Sequence, residues 1–132
     1  MLTNAGRDHV LACVYGTGAQ PAAANYMALS ADDTAPSASS TVLDGEITTE
    51  GGGLVRAQAT YAHTGGQSTA TLTKTFTANS SDSLPVVIAK IGIFNASTSG
   101  TLTNETLLDA TASLAAEGDQ VTITDTITVS GS

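Results

Sequence analysis

From Thr69 to Thr77 the chain alternates without a break. Thr69, Thr71, Thr73, Thr75 and Thr77 share one parity; Ala70, Leu72, Lys74 and Phe76 share the other. Successive side chains of an extended strand point to opposite faces, so this stretch specifies a β-strand with one hydroxyl-coated face and one largely apolar face. A second stretch, 121–129, repeats the pattern, with Val121, Ile123, Ile127 and Val129 expected inward and Thr122, Thr124, Thr126 and Thr128 outward. Threonine suits such strands because its β-branch fits a pleated surface. Two strands of this kind need an apolar layer to lie against, which selects a sheet-on-sheet fold.

Other segments add strands at intervals. Residues 25–30 form a short strand, 42–47 a strand or a short turn, and 54–62 an alternating strand with Val55, Ala57, Ala59 and Tyr61 on one face. The segment 54–62 is expected to pair with 67–77 as a hairpin through Thr64-Gly65-Gly66. Pro85 to Asn95 is a nearly continuous apolar run, the mark of a central strand covered on both sides. Residues 102–108 and 110–116 are weaker strands. Gly51, Gly52 and Gly53 read as a turn, because no Lys-Ser/Thr follows as a phosphate cradle requires. Ala19–Ala24 and Ala31–Thr41 are loops. The expected fold is an all-β antiparallel sandwich or jelly roll of about seven or eight strands in one domain, 1–132. A short N-terminal helix over 3–15, capped by Thr3 or Asn4 and stopped by Gly16 and Gly18, opens it, with a strand over 9–15 as the alternative. Within the arm 1–18, Leu2, Val10, Leu11 and Val14 are expected to pack on the sheet or on a neighbour.

Composition excludes several functions. The 132 residues carry 4 Lys and Arg against 12 Asp and Glu, a net charge of −8. Phosphate neutralisation needs a basic face, so no nucleic acid is expected as a partner, and no anionic membrane either. No apolar run reaches the ~20 residues of a membrane span, and the N-terminus lacks the basic and apolar regions of a secretory signal. Cys13 is the only cysteine, so it is expected as a small packed apolar residue rather than part of a disulfide or a zinc site.

No residue is assigned a catalytic, cofactor-binding or metal-ligating role. His9 and His63 are the only histidines, and His63 falls on a turn. No serine sits in a nucleophile-elbow context. Asp32, Asp33, Asp44, Glu46 and Glu50 lack the spacing of a calcium loop. The threonine faces lack the fixed-period repeat of an ice-binding array. Asn79, Asn95 and Asn104 each begin Asn-x-Ser/Thr, a glycosylation acceptor only in a glycosylating context. Arg56, Lys74 and Lys90 fall within expected strands amid an excess of carboxylates, so each is expected to form ion pairs.

Six segments together carry a resemblance. They are Leu2-Thr3-Asn4-Ala5-Gly6-Arg7-Asp8, Asn25-Tyr26-Met27-Ala28-Leu29, Thr34-Ala35-Pro36, Leu43-Asp44-Gly45-Glu46-Ile47, Gly53-Leu54-Val55-Arg56-Ala57 and Ile91-Gly92-Ile93-Phe94-Asn95-Ala96. Their order and spacing resemble small structural proteins of tailed viruses of bacteria and archaea. More loosely, they resemble the attachment domains that open phage tail-collar fibres. Unlike the fibre proteins, the chain shows no collagen-like or coiled-coil stretch after the β domain. The resemblance implies a non-enzymatic virion protein, assembled in the host cytoplasm. It would be a capsid decoration, cement or turret subunit that binds the major capsid lattice or other virion proteins as a homo-oligomer. The alternative it implies is a tail, collar or baseplate component that binds host surface glycans. A thin core and −8 net charge add two expectations: folding coupled to assembly, and assembly strengthened by salt.

Overall fold

The computed structural model describes residues 1–131. Helix α1 spans Asn4–Tyr15, and seven strands follow: β1 Tyr26–Ser30, β2 Ala57–Gln58, β3 Thr60–His63, β4 Thr69–Thr77, β5 Val86–Phe94, β6 Leu102–Leu114 and β7 Gln120–Thr128. They form two antiparallel sheets. Sheet A has the order β2-β1-β5-β6 and sheet B the order β3-β4-β7. The fold is an all-β sandwich with a short N-terminal helix, as the sequence implies.

The core lies between the sheets. Met27, Leu29, Ile88, Ile91 and Ile93 of sheet A meet Leu72, Phe76 and Ile123 of sheet B, with Leu54 and Leu114 closing the ends. Each large side chain buried here contributes roughly 1.5–3 kcal/mol. Strand β5 is the centre of sheet A, between β1 and β6. Its pairing with β6 shifts register between Ile88 and Lys90. A bulge of this kind reverses the inside–outside parity. Ile88 therefore faces the core before it, and Ile91 and Ile93 after it. On the opposite face Ala28, Leu43, Phe94 and Leu102 form a second apolar cluster. The unbroken apolar run of the sequence is thus a strand buried on both faces.

Three expectations are corrected, and residues 42–47, open between strand and turn, are found as a turn. The stretch 54–62 is not one strand: Ala57 and Gln58 pair with β1 in sheet A, whereas Thr60–His63 pair with β4 in sheet B. Ala59, buried at the crossing, is where the chain changes sheets. The hairpin through Thr64–Gly66 holds for its second half. The segments 102–108 and 110–116 form the single strand β6, with the extra residues absorbed at the register shift. Residues 42–47 turn, touching β1 through one bridge between Ser30 and Glu46. Near the end of β7, Ile127 is 39 % exposed, and Val129, one residue past the strand, is 74 % exposed; the chain here runs past the apolar layer, so neither side chain is covered.

The arm also departs from expectation. Thr3 caps α1, accepting a hydrogen bond from the Gly6 amide at 2.9 Å while its hydroxyl donates to the Leu102 carbonyl at 2.6 Å. Gly6 is the helix's one buried residue. A Cβ there would meet the Thr103 carbonyl oxygen at 2.0 Å, so only glycine lets the helix sit this close to β6. Beyond that turn His9 and Ala12 are half-buried, but Val10, Leu11, Val14 and Tyr15 are exposed, as are Cys13 and, before the helix, Leu2. Cys13 is therefore not a packed core residue, because the helix docks closest at its first turn. Of the side chains expected on the sheet or on a neighbour, Val10, Leu11 and Val14 stay exposed on their own chain, and Leu2, also exposed, bridges Asn104 of β6 through its backbone.

Candidate functional site

Charge is concentrated on the outer face of sheet A. The bulge that returns Ile91 to the core turns Lys90 the other way, beneath the 31–41 loop. There its ammonium bonds Asp32 Oδ2 at 2.6 Å and Glu105 Oε1 at 2.9 Å. Lys90 is fully buried and Glu105 is 2 % exposed. Thr34 adds its carbonyl and hydroxyl oxygens, each 3.3 Å from the ammonium. Burial alone would lower the Lys90 pKa, but the hydrogen bonds it donates to Asp32 and Glu105 outweigh it and hold the pKa above its ordinary value. Burial would likewise raise that of Glu105; bonds from Lys90 and the nearby serines reverse this and hold it low. The Lys90 hydrogen bond is the main cause that lowers Asp32.

Arg56 forms a second fastening on the same face. Its Nε and Nη2 donate to the two carboxylate oxygens of Glu46, each at 2.9 Å, and its Nη1 donates to the carbonyls of Ala96 and Ser99. The guanidinium carbon lies 3.5 Å above the Phe94 ring centre. A planar fork that binds a carboxylate bidentately and stacks on an aromatic is a task for arginine, not lysine. The expected ion pairing of Arg56 and Lys90 is present. Lys74, on β4, forms no ion pair among the described residues.

The five-carboxylate cluster is divided rather than gathered. Asp32 serves Lys90 and Glu46 serves Arg56, while Asp33, Asp44 and Glu50 are exposed. Among the described residues no three His, Cys, Asp or Glu side chains group as a metal site. His63, expected on the turn, is the last residue of β3, paired with Ala70, and its Nδ1 lies 2.8 Å from the Thr69 carbonyl oxygen. The sequon asparagines hold loops and strands together. Asn79 Nδ2 donates to Gly51 O, Asn95 Oδ1 accepts from the Thr101 amide, and Asn104 Nδ2 donates to Asp125 Oδ2. The glycine turn is pinned by Asp82, which accepts from the Gly53 and Asn79 amides at 2.9 and 2.8 Å.

Sheet B presents a different surface. Its outer face pairs Thr69 with Thr128, Thr71 with Thr126, Thr73 with Thr124 and Thr75 with Thr122. Facing hydroxyls lie 3.2 Å apart at Thr73–Thr124 and 2.7 Å at Thr75–Thr122. The inward parity of β7 holds a carboxylate, Asp125, only 9 % exposed. Burial raises its pKa, partly offset by the Asn104 hydrogen bond. The sequence reading passed over Asp125; a carboxylate in the inward series of an alternating strand is the signal that marks it.

A groove of about 380 Å³ runs between the arm and β7, lined by Leu2, His9 and Val10 on one wall and Asp125, Thr126 and Ile127 on the other. A second, open cleft of about 560 Å³ lies beside Arg56, with Thr48, Ser97, Thr98 and Ser99 at its rim. The six segments behind the viral resemblance furnish many of the fastenings. Thr3, Gly6, Thr34, Glu46, Arg56, Phe94 and Ala96 all take part in the contacts above. No helix is long and apolar enough to cross a membrane among the described residues. The chain matches no protein-family model and no curated protein.

Proposed function

We propose that this chain is a non-enzymatic structural subunit of a tailed-virus particle, bound to the capsid exterior as a homo-oligomer in contact with the major capsid protein. The observation that carries the reading is the distribution of apolar surface. The arm spends Thr3 and Gly6 on a rigid anchor and then holds Val10, Leu11, Val14 and Tyr15 out to solvent. Exposed apolar side chains grouped on one element mark an interaction surface. The buried charges, in turn, are engaged in fastening loops to sheet A, a scaffold's use of charge. The order of the six segments supplies the viral context.

Quantitative mass spectrometry of purified particles tests the proposal. A capsid-surface subunit is present in tens to hundreds of copies per particle, with label on the capsid. Absence from particles overturns the reading. The second reading, a tail or baseplate adhesin for host glycans, draws on the hydroxyl-rimmed cleft beside Arg56. Few copies, label at the tail and binding on a glycan array would favour it.

A further inference from the structure

We propose that the free edge of β7 is the self-association surface, pairing antiparallel with β7 of a second copy about a two-fold axis. The inference deepens the reading of the chain as an oligomeric structural subunit and rests on it for the requirement that copies meet. A sheet edge exposes unpaired N–H and C=O groups, and folded proteins shorten, cover, bulge or charge such edges. Three of the four edges here are treated in that way. β2 is two residues long and β3 four. β6 is covered at its start by residues 1–3, through bonds from the Thr3 amide to Thr103 O and from the Glu105 amide to Met1 O. Farther along, β6 carries the register shift and Asp109.

β7 has none of these protections. It is nine residues long, pairs in unbroken register with β4 and with no other strand among the described residues, and contains no proline, lysine or arginine. Its one charge, Asp125, is turned inward. The hydrogen-bond parity is fixed by the ladder's ends, where the Val129 amide donates to Ser68 O and the Ala78 amide to Asp119 O. Odd-numbered residues of β7 therefore bond β4. The backbone groups of Gln120, Thr122, Thr124, Thr126 and Thr128 point away from the sheet. Pairing centred on Thr124 sets Thr122 against Thr126 of the second copy and forms about ten backbone hydrogen bonds over roughly 30 Å.

Two features identify the occupant as a second copy. In a chain of net charge −8, most contacts between copies set like charges together, whereas this edge is an uncharged threonine strip. The same pairing also covers the arm. Leu2 and Val10 form the wall facing Thr126 and Ile127 across the groove, so a strand laid on the edge of β7 lies against them. It also brings a surface for the exposed Leu11 and Val14 to pack on.

Sedimentation velocity of the purified chain over a concentration series tests the pairing. Thr124→Pro removes an edge donor that β4 does not use. The double variant Thr122→Asp/Thr126→Asp sets carboxylates opposite one another across the axis. The expected result is a wild-type dimer and a dissociation constant weakened at least about tenfold in each folded variant. Should Thr124→Pro fail to fold, by circular dichroism, the aspartate variant decides. A wild-type monomer at every concentration overturns the pairing, as does a dimer that folded variants leave unchanged. Either result is independent of the particle count, which alone decides the virion reading.

Discussion

The outer faces of the two sheets are finished in opposite ways. Sheet A is roofed by the 31–41 loop and the turns around Glu46 and Ser99. Each is fastened by a cation whose side chain is at least nine-tenths buried, Lys90 at 1 % exposure and Arg56 at 10 %. Sheet B has no roof: its outer face is a threonine ladder, and its β7 edge ends in open backbone groups. Sheet A ties down its outer charges within the chain, whereas sheet B leaves the backbone groups of its β7 edge for water or a partner. The comparison places the buried ion pairs on the first face, and the proposed self-association falls at the edge of the second.

The contrast makes a ranked set of predictions. Lys90→Met strands the buried Glu105 and should cost about 3–5 kcal/mol in denaturant unfolding. Phe94→Ala, which opens the cluster under Arg56, should cost a similar 3–5 kcal/mol. The pH dependence of stability bears on the same cluster. Asp32 and Glu105 have lowered pKa values, so their contribution is present above about pH 4 and lost as pH falls through the folded values. Lys90 is raised, so its contribution holds below about pH 10 and is lost as pH rises through its folded value. Removing Lys90 should flatten the acid limb; an unchanged limb would show that the cluster is not what acid breaks.

Arg56→Lys keeps the charge but loses the fork and the stack, for an expected cost of about 1–3 kcal/mol. Asp125→Asn reverses the usual sign. Its pKa is raised, so the ionised form costs stability above the folded value, and the cost is relieved as pH falls towards the ordinary value near 4. The variant should be more stable than wild type at pH 7 and equal to it in acid, read from thermal unfolding. Smallest of all, Thr75→Ala on the exposed ladder should stay within about 0.5 kcal/mol. A ladder variant that destabilises as much as Lys90→Met would erase the distinction between the faces.

Parity explains what was legible in the sequence. Strands β4, β5 and β7 were readable because alternation, or a two-sided apolar run, is local information. The role of Lys90 as an ion-pairing residue followed from its scarcity among carboxylates. The bulge before it did not, because a register shift depends on the partner strand. The division of 54–62 between sheets was illegible for the same reason: Ala57 and Thr60 look alike whichever neighbour they pair with. Helical spacing marks Val10, Leu11 and Val14 as one set but does not choose between the sheet and a neighbour as their cover; within the chain they are exposed. Nothing local marks β7 as the one unprotected edge; that requires the whole strand order.

Residue-resolved amide hydrogen exchange at several protein concentrations tests the central claim most directly, that the outer face of sheet A is fastened within one chain while the β7 edge of sheet B is the proposed meeting place of two. The amides of Val121, Ile123, Asp125 and Ile127 bond β4 and should be protected at every concentration. Those of Thr122, Thr124 and Thr126 should exchange quickly in dilute solution and become protected together as concentration rises. If these three exchange at one rate throughout the series, open or closed, the edge of β7 is not where copies join, and the account of sheet B fails.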